Sequence, residues 1–293
     1  MNKTLKLGPD FLCIGMQKGG TRWIYDAMNQ IPGAMMPPIK EVNHFALVNG
    51  HKGGDFSVEK VFRQRLRAID VDYPEVPEEL RAQFRKAARR YISAQTIKNY
   101  RQLFCLSGDQ VTGDISPAYS LLTAQEIAKV YKFLPDARIV LSVRHPVSRA
   151  WSHFNMHLRL VMGKEGLKPS QMQEEIVARA TPQAFGEFIK KQRTTVLSSA
   201  SIIYDRWSKH YDNVMVIDFT DIVTRPAAVV SRLSQELVGT AMQEDQAPAV
   251  PNAKETAAKA KILPAHTEIG LAYFKDEIAR CKDRFAFCAS WEG

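Results

Sequence analysis

The chain has 293 residues, of which 45% are hydrophobic and 24% are charged. Such a composition is typical of a globular protein with a sizeable core, and it excludes disordered and fibrous classes of protein. The 40 Lys and Arg residues outnumber the 31 Asp and Glu residues and give a formal net charge of +9. We therefore expect the surface to attract an anion: nucleic acid, a phosphorylated cofactor or an acidic glycan.

Targeting and cysteine patterns favour a cytoplasmic protein. Lys3, Lys6 and Pro9 stand where a signal peptide needs an apolar stretch, and no run approaches the roughly 18 apolar residues of a membrane span. The four cysteines show no CxxC spacing, which argues against a zinc site and against a disulfide framework. We predict a cytoplasmic location, no membrane span and no metal site.

Short apolar runs alternate with helical patterns along the chain. Residues 11–14 form a wholly apolar run that ends at Gly15, which predicts a buried strand, and residues 21–31 place apolar side chains at helical spacing. The alternation continues with a capped helix at 123–134, a strand at 139–143, a helix from 182 and a strand at 214–217. Strands that alternate with helices predict an α/β fold with a doubly wound parallel sheet flanked by helices.

Two regions depart from this alternation. Residues 50–101 are polar and helical in character, and the Arg and Lys residues after Glu79 have few acids among them. They predict a helical insertion over the sheet, either as a solvated helix face or as a basic wall for an anionic substrate. Residues 252–293 predict a C-terminal helical segment whose expected core contacts are Ile269, Tyr273, Ile278, Phe285 and Phe287. We expect residues 1–293 to form a single domain.

A glycine-rich loop joins the first predicted strand to the first helix. Such a loop directs backbone N–H groups toward an anion, and the helix dipole adds to the attraction. Gly15 and Gly20 have the spacing of a Walker A motif, but Thr21 stands at the lysine position and Lys18 lies inside the loop. Arg144, rather than a Mg²⁺-binding acid, follows the strand at 139–143. The loop is P-loop-like, whereas nucleotide hydrolysis is disfavoured; a turn used only for packing stays open.

Four stretches resemble motifs of the sulfotransferases that use 3′-phosphoadenosine 5′-phosphosulfate (PAPS). Residues 17–23 resemble the 5′-phosphosulfate loop, and residues 40–45 resemble the K-E-x-x-[FH]-F motif of the glycan-modifying and related bacterial branch. Residues 138–153 resemble the strand, loop and helix that bind the 3′-phosphate, and residues 204–226 resemble a later conserved region of the superfamily. The stretches occur in the family's order. The resemblance implies PAPS as co-substrate, with no metal.

The resemblance also implies which residues bind PAPS. Its 5′ end would contact the loop residues Lys18, Gly19, Gly20, Thr21, Arg22 and Trp23. The residues themselves support a second anion site. Arg144 closes a buried strand and Ser152 lies eight residues on, inside the next predicted helix, so both could reach one phosphate beyond the carboxyl end of the sheet. The resemblance identifies that phosphate as the 3′-phosphate.

Sulfuryl transfer, like phosphoryl transfer, has a loose in-line transition state in which charge builds on the leaving group. Lys18 is predicted to stabilise that charge, and the resemblance implies Glu41 as the general base. His44 is the competing base, or else a packing or substrate contact. Residues 113–119 resemble the family's E-K-[ST]-P-x-Y stretch, which makes Asp114 and Ser116 candidate substrate-binding residues.

The sequence thus predicts a PAPS-dependent sulfotransferase that acts on a hydroxyl, or alternatively an amine, of a carbohydrate, lipid or secondary metabolite. The expected partner is a small-molecule or glycan acceptor and not nucleic acid, and the oligomeric state is open. One alternative is a P-loop kinase or NTPase of the same fold, which would need ATP and Mg²⁺. The other is a non-enzymatic nucleic-acid-binding protein that uses the basic stretch at 81–101.

Overall fold

A computed structural model of the chain describes residues 8–51, 57–250 and 258–292. Its centre is a four-stranded parallel sheet in the order β2-β1-β3-β4. The strands are β1 Phe11–Gly15, β2 Gly113–Ile115, β3 Arg138–Val143 and β4 Val214–Asp218. The carboxyl ends of all four strands lie at one edge of the sheet. The chain passes from β2, on one side of β1, to β3, on the other side, and ligands bind at the carboxyl edge beside such a reversal in strand order.

Helices connect the strands and cover both faces of the sheet. Those within the described ranges are α1 Thr21–Met28, α2 His44–Val48, α3 Val58–Asp72, α4 Glu78–Ser93, α5 Ile97–Gln102, α6 Ala124–Phe133, α7 Pro146–Lys164, α8 Met172–Arg179, α9 Pro182–Ile189, α10 Gln192–Ser198, α11 Ala200–Trp207, α12 Phe219–Thr224, α13 Pro226–Leu233 and α14 Pro264–Arg284. The capping box predicted at the start of α6 is present, with Thr123 and Glu126 as its members.

The core explains why the strands are apolar throughout. Leu12 and Ile14 face one cluster of buried side chains, which includes residues of α2 to α6 and α11. Phe11 and Cys13 face a second cluster, built with α1, α12 and α13. Each strand is covered on both faces, so side chains pointing either way need to be apolar. The predicted α/β doubly wound sheet is confirmed, whereas the short strand β2 was not predicted.

The predicted helical insertion contains α3, α4 and α5. Phe62 of α3 stacks on Tyr91 of α4, with ring centroids 5.2 Å apart. Arg81 and Arg85 of the basic stretch both pair with Asp70 and Glu78. Asp70 belongs to the facing helix α3 and Glu78 to the first turn of α4, so both acids precede the basic stretch in the sequence.

The C-terminal segment contributes to a third cluster of buried side chains, which it forms with α7, α8 and α9. Helix α14 packs on α7, α9 and α11, while residues 252–257 of this predicted segment and residues 1–7 fall outside the described ranges. Ile278 and Phe285 are buried and Ile269 and Phe287 are partly buried, as expected. Tyr273 is wrong as a core contact: it is exposed, because the neighbouring Phe274 occupies the inward position.

Within the described ranges, every helix is too short or too polar to cross a bilayer.

Candidate active site

The glycine-rich loop, residues 16–20, lies between β1 and α1 at the carboxyl edge of the sheet. Gly20 is the N-cap of α1 in a left-handed conformation with φ of 88°. A Cβ on Gly19 would lie 2.8 Å from Ser142 Oγ, and a Cβ on Gly20 would lie 2.8 Å from Ile222 Cδ1. The loop therefore lies close to β3 and α12, and a larger residue at either glycine would have to displace its neighbours. Backbone N–H groups at the beginning of α1 are of the kind that can bind an anion.

Arg144 joins the end of β3 to this loop. Its Nη1 donates to the carbonyl oxygen of Lys18 at 3.0 Å, and its Nε donates to Ser148 Oγ at 3.3 Å. The guanidinium also lies 4.3 Å from the ring centroid of Phe219. The structure thus brings together the two segments that the sequence assigned to separate anion sites. Ser152 lies half-buried on α7, two turns along the helix from its beginning.

Lys18 lies among other cations. Burial lowers the pKa of its ammonium group, and the nearby charges of Arg159, Arg144 and Arg149 lower it further, whereas Glu41 raises it. Lys18 has a left-handed backbone with φ of 70°, which is unusual for a residue other than glycine. This edge of the sheet therefore has a surplus of positive charge. A ligand carrying several negative charges would neutralise it.

Arg149 is a member of this cluster that the sequence analysis missed. It is fully buried, and its Nη2 donates to the Thr194 carbonyl at 3.4 Å. Its Nε and Nη1 have no hydrogen-bond partner. Burial, with the charge of Arg144, lowers the pKa of its guanidinium to about 9. In the sequence, Arg149 stands between Arg144 and Ser152, but the predicted phosphate site consisted of those two residues and did not need a third.

Glu41 stands on a short segment that approaches the loop. Its carboxylate accepts from Lys40 Nζ at 2.9 Å, and 39% of the Glu41 side chain is exposed. Its charge is close enough to Lys18 to raise the pKa of that ammonium group. The charge of Glu41 therefore acts on Lys18, and the Glu41 carboxylate is accessible from solvent.

His44 lies in the core. It is 3% exposed, its Nδ1 is hydrogen-bonded to the Tyr91 hydroxyl at 3.1 Å, and its ring stacks on Tyr100 with centroids 4.6 Å apart. Burial lowers the pKa of its imidazole to about 4. A neutral ring enclosed by aromatic side chains has no access to an acceptor. Of the three roles left open for His44, only the packing contact fits the structure.

Asp114 and Ser116 are likewise enclosed. Asp114 is 1% exposed, and its carboxylate accepts from the hydroxyls of Tyr100, Ser116 and Tyr119. Ser116 has no exposed surface. The prediction that these two residues bind substrate therefore does not fit the structure, because the tyrosines and Ser116 fill the space that an acceptor would need.

The side chains of Arg22 and Trp23 point away from the loop. Arg22 is 62% exposed and its Nε donates to Asp26 at 3.0 Å. Trp23 is buried in the cluster that also contains Phe11 and Cys13, and its Nε1 donates to the Val250 carbonyl at 3.4 Å. A role in cofactor binding is thus left to their backbone N–H groups. Thr21, at the first position of α1, is 6% exposed.

Across the described ranges, the structure holds no group of three or more His, Cys, Asp or Glu side chains arranged for a metal ion.

Comparisons with known proteins show the family of the chain. The model of the Sulfotransferase family matches residues 9–243, and the chain belongs to this family. The predicted membership of the sulfotransferase superfamily is therefore confirmed, while the likeness of residues 40–45 to one branch stays a prediction. No curated protein matches the chain significantly.

Three solved structures are similar over nearly the whole chain. A sulfotransferase from Alicyclobacillus acidocaldarius is 20% identical with a TM-score of 0.56, covering 95% of this chain and 96% of that one. The sulfotransferase domain of the Synechococcus PCC 7002 olefin synthase is 13% identical with a TM-score of 0.54, covering 96% and 97%. The sulfotransferase domain of the curacin biosynthetic pathway is 12% identical with a TM-score of 0.50, covering 89% and 83%. At such identities the likeness shows the fold alone.

Proposed function

We propose that the chain transfers a sulfuryl group from PAPS to a hydroxyl, or alternatively an amine, of a small-molecule or glycan acceptor. The observation that carries this proposal is the bond from Arg144 Nη1 to the Lys18 carbonyl, 3.0 Å long, which unites two anion-binding segments at one sheet edge. PAPS has anionic groups at both ends of a nucleoside, so it matches such a pair of segments. Membership of the Sulfotransferase family supports the same reaction.

The residues present fit this co-substrate. Lys18, Gly19, Gly20 and Thr21 would hold the 5′-phosphosulfate with backbone N–H groups and one ammonium group. Arg144 and Ser152 would hold the 3′-phosphate. The unpartnered Nε and Nη1 atoms of buried Arg149 support the fit. So does the pKa of Lys18, which is lowered by burial and then by the charges of Arg159, Arg144 and Arg149.

The chemistry divides between two side chains. PAPS supplies the sulfuryl group when it is bound. Lys18 stabilises negative charge that develops on the departing phosphate, a role worth a few kcal/mol, about 3, for one preorganised donor. Glu41 accepts the proton of the acceptor hydroxyl, with Lys40 fixing its carboxylate through the 2.9 Å ion pair. In this proposal the reacting atoms lie in line between these two side chains.

The proposal also covers the acceptor, the domain organisation and the cellular location of the enzyme. A carbohydrate, lipid or secondary metabolite would enter between the sheet edge and the described residues of the predicted insertion, 57–101, and of the C-terminal segment, 258–292. Residues 1–293 would act as one domain; α14 supports this by packing on α7 and α9. A cytoplasmic location is supported by four free, buried cysteines.

Calorimetric titration with 3′-phosphoadenosine 5′-phosphate (PAP), the desulfated product, tests the proposal. We expect PAP to bind with micromolar affinity, and ATP with Mg²⁺ to bind more weakly. PAP release from PAPS, in the presence of a panel of hydroxyl and amine acceptors, then identifies the acceptor. Preference for ATP with Mg²⁺ would instead favour the kinase alternative, and steeply salt-dependent binding of oligonucleotides without PAP binding would favour the nucleic-acid-binding one.

A further inference from the structure

We propose that Asp114 is a positioning residue whose buried carboxylate, acting through Ser116 and Asn43, fixes the segment that presents Glu41 to Lys18. This inference rests on the proposed function, since it concerns the residue assigned there as general base. Asp114 would act without touching the co-substrate or the acceptor.

Asp114 is the centre of a cluster of hydroxyl groups. Its Oδ2 accepts from Tyr100 at 3.0 Å and from Tyr119 at 2.5 Å, and its Oδ1 accepts from Ser116 Oγ at 2.5 Å. The carboxylate is 1% exposed, and the two tyrosines have no exposed surface. A buried carboxylate is stable only when such partners satisfy it. The arrangement is therefore rigid, because losing any one donor leaves part of a buried charge unpaired.

Ser116 connects this cluster to the segment that carries Glu41. While it donates to Asp114, its Oγ accepts from the backbone N–H of Asn43 at 2.9 Å. Its own backbone N–H donates to the Cys13 carbonyl of β1 at 3.0 Å. Since β1 leads directly into the loop of Lys18, Ser116 links the segment of the base to the strand of the electrostatic catalyst.

The segment from Glu41 to Asn43 needs such an anchor. Glu41 has φ of 63° and Asn43 has φ of 56°, both in the left-handed region that residues other than glycine adopt infrequently. Within the segment, Asn43 Nδ2 donates to the Glu41 carbonyl at 2.7 Å. These conformations persist only where surrounding bonds hold them. The bond from Asn43 N–H to Ser116 ties the segment to the residue that directly follows β2.

A carboxylate suits this task better than an amide. An ionised Asp114 can only accept hydrogen bonds, so each neighbouring hydroxyl directs its hydrogen inward. Because the Ser116 hydroxyl points its hydrogen at Asp114, it can only accept a hydrogen bond from Asn43, and the Asn43 backbone N–H donates one. An asparagine at 114 would bring an NH₂ group against these hydroxyls and reverse at least one of them. The direction of the bond to the Glu41 segment thus depends on the charge at Asp114.

Ser116→Ala and Tyr100→Phe form a matched pair of variants. Each removes one hydroxyl from the Asp114 carboxylate, but only Ser116→Ala also removes the acceptor for Asn43. We expect Ser116→Ala to raise hydrogen–deuterium exchange at the Asn43 amide by about tenfold, and Tyr100→Phe to leave it nearly unchanged. We also expect Ser116→Ala to lower kcat for PAP release from PAPS by about 10²-fold, with PAP affinity retained, since a small displacement of a catalytic group has such an effect.

Asp114→Asn provides a second route to the same result, with thermal unfolding as the check that each variant folds. It should raise exchange at Asn43 and lower kcat as Ser116→Ala does. Equal effects of Ser116→Ala and Tyr100→Phe on exchange and on kcat would overturn the proposal, because the cluster would then stabilise the core and nothing more. Failure of the proposed function is recognised separately: the wild type would neither bind PAP nor release it from PAPS, while exchange at Asn43 would still decide whether Asp114 fixes the segment.

Discussion

Arg144 donates from Nη1 to the carbonyl oxygen of Lys18 at 3.0 Å, across the gap between the ends of β3 and β1. Lys18 has a left-handed backbone, so this bond supports a loop conformation that is unfavourable by itself. We therefore expect one arginine to have two tasks, to shape the loop and to present positive charge to an anion. The two proposed phosphate sites are coupled through it.

Arg144→Gln is expected to weaken PAP binding by about 10- to 100-fold, because a charged hydrogen bond to phosphate and the support of the Lys18 loop are lost together. Isothermal titration calorimetry measures the effect. Arg138→Gln is the matched control, since Arg138 stands at the opposite end of β3 and bonds to the carbonyls of Glu236 and Leu237. Equal losses in both variants would contradict an anion site at Arg144.

Lys18→Met is expected to lower kcat for PAP release from PAPS by about 10²- to 10³-fold, because one preorganised donor to the departing phosphate is removed. PAP affinity should fall less, by about tenfold. Rapid-quench measurement of PAP release separates the two effects. Lys18→Arg keeps the charge and should retain PAP affinity more fully than Lys18→Met. A Lys18→Met variant with unchanged kcat would remove Lys18 from the chemistry.

Thr21→Ala and Arg22→Ala distinguish neighbouring residues of the loop. Thr21 is 6% exposed at the beginning of α1, whereas Arg22 is 62% exposed and pairs with Asp26. We expect Thr21→Ala to weaken PAP binding by about tenfold and Arg22→Ala to change it by less than about twofold. Titration with PAP measures both. A large loss in Arg22→Ala would show that its side chain turns toward the ligand.

Local patterns in the sequence were sufficient for strands β1, β3 and β4, for the loop and for the order of the motifs. Strands β1 and β3 are apolar throughout, because both of their faces are covered, and this continuity is visible in the residues alone. The position of Lys18 follows from its place in a loop between a strand and a helix. These features depend on neighbours in the chain, so the sequence predicts them well.

The burial of His44 and Asp114 depends on distant residues and was not predictable in this way. His44 is enclosed by Tyr91 and Tyr100, and Asp114 is satisfied by Tyr100 and Tyr119. A histidine or an aspartate in a motif has the same local signature whether it faces an acceptor or the core. The three tyrosines that decide the matter come from α4, α5 and the 3₁₀ turn after β2.

Glu41→Gln tests the proposed base. We expect PAP release from PAPS to fall by more than about 10²-fold while PAP affinity stays unchanged, since the amide cannot accept the proton. Lys40→Met is the control: it removes the ion pair but leaves a carboxylate that is 39% exposed, so its effect on kcat should be smaller. Steady-state kinetics and PAP titration are both needed. Full activity in Glu41→Gln would assign the proton to another group or to solvent.

Buried His44 makes the stability of the fold sensitive to acid. Its pKa is about 4 in the folded chain and about 6.5 when unfolded, so between these values the unfolded state binds more protons. Stability therefore falls as the pH drops below 6.5, and the loss at His44 reaches about 3 kcal/mol near pH 4. His44→Phe keeps a ring against Tyr100 but cannot take up a proton. Urea unfolding at pH 7 and pH 4 should show a smaller difference in His44→Phe than in the wild type. Tyr91→Phe, which removes only the hydrogen bond, should keep the wild-type difference, and an undiminished difference in His44→Phe would mean that other groups cause the acid sensitivity.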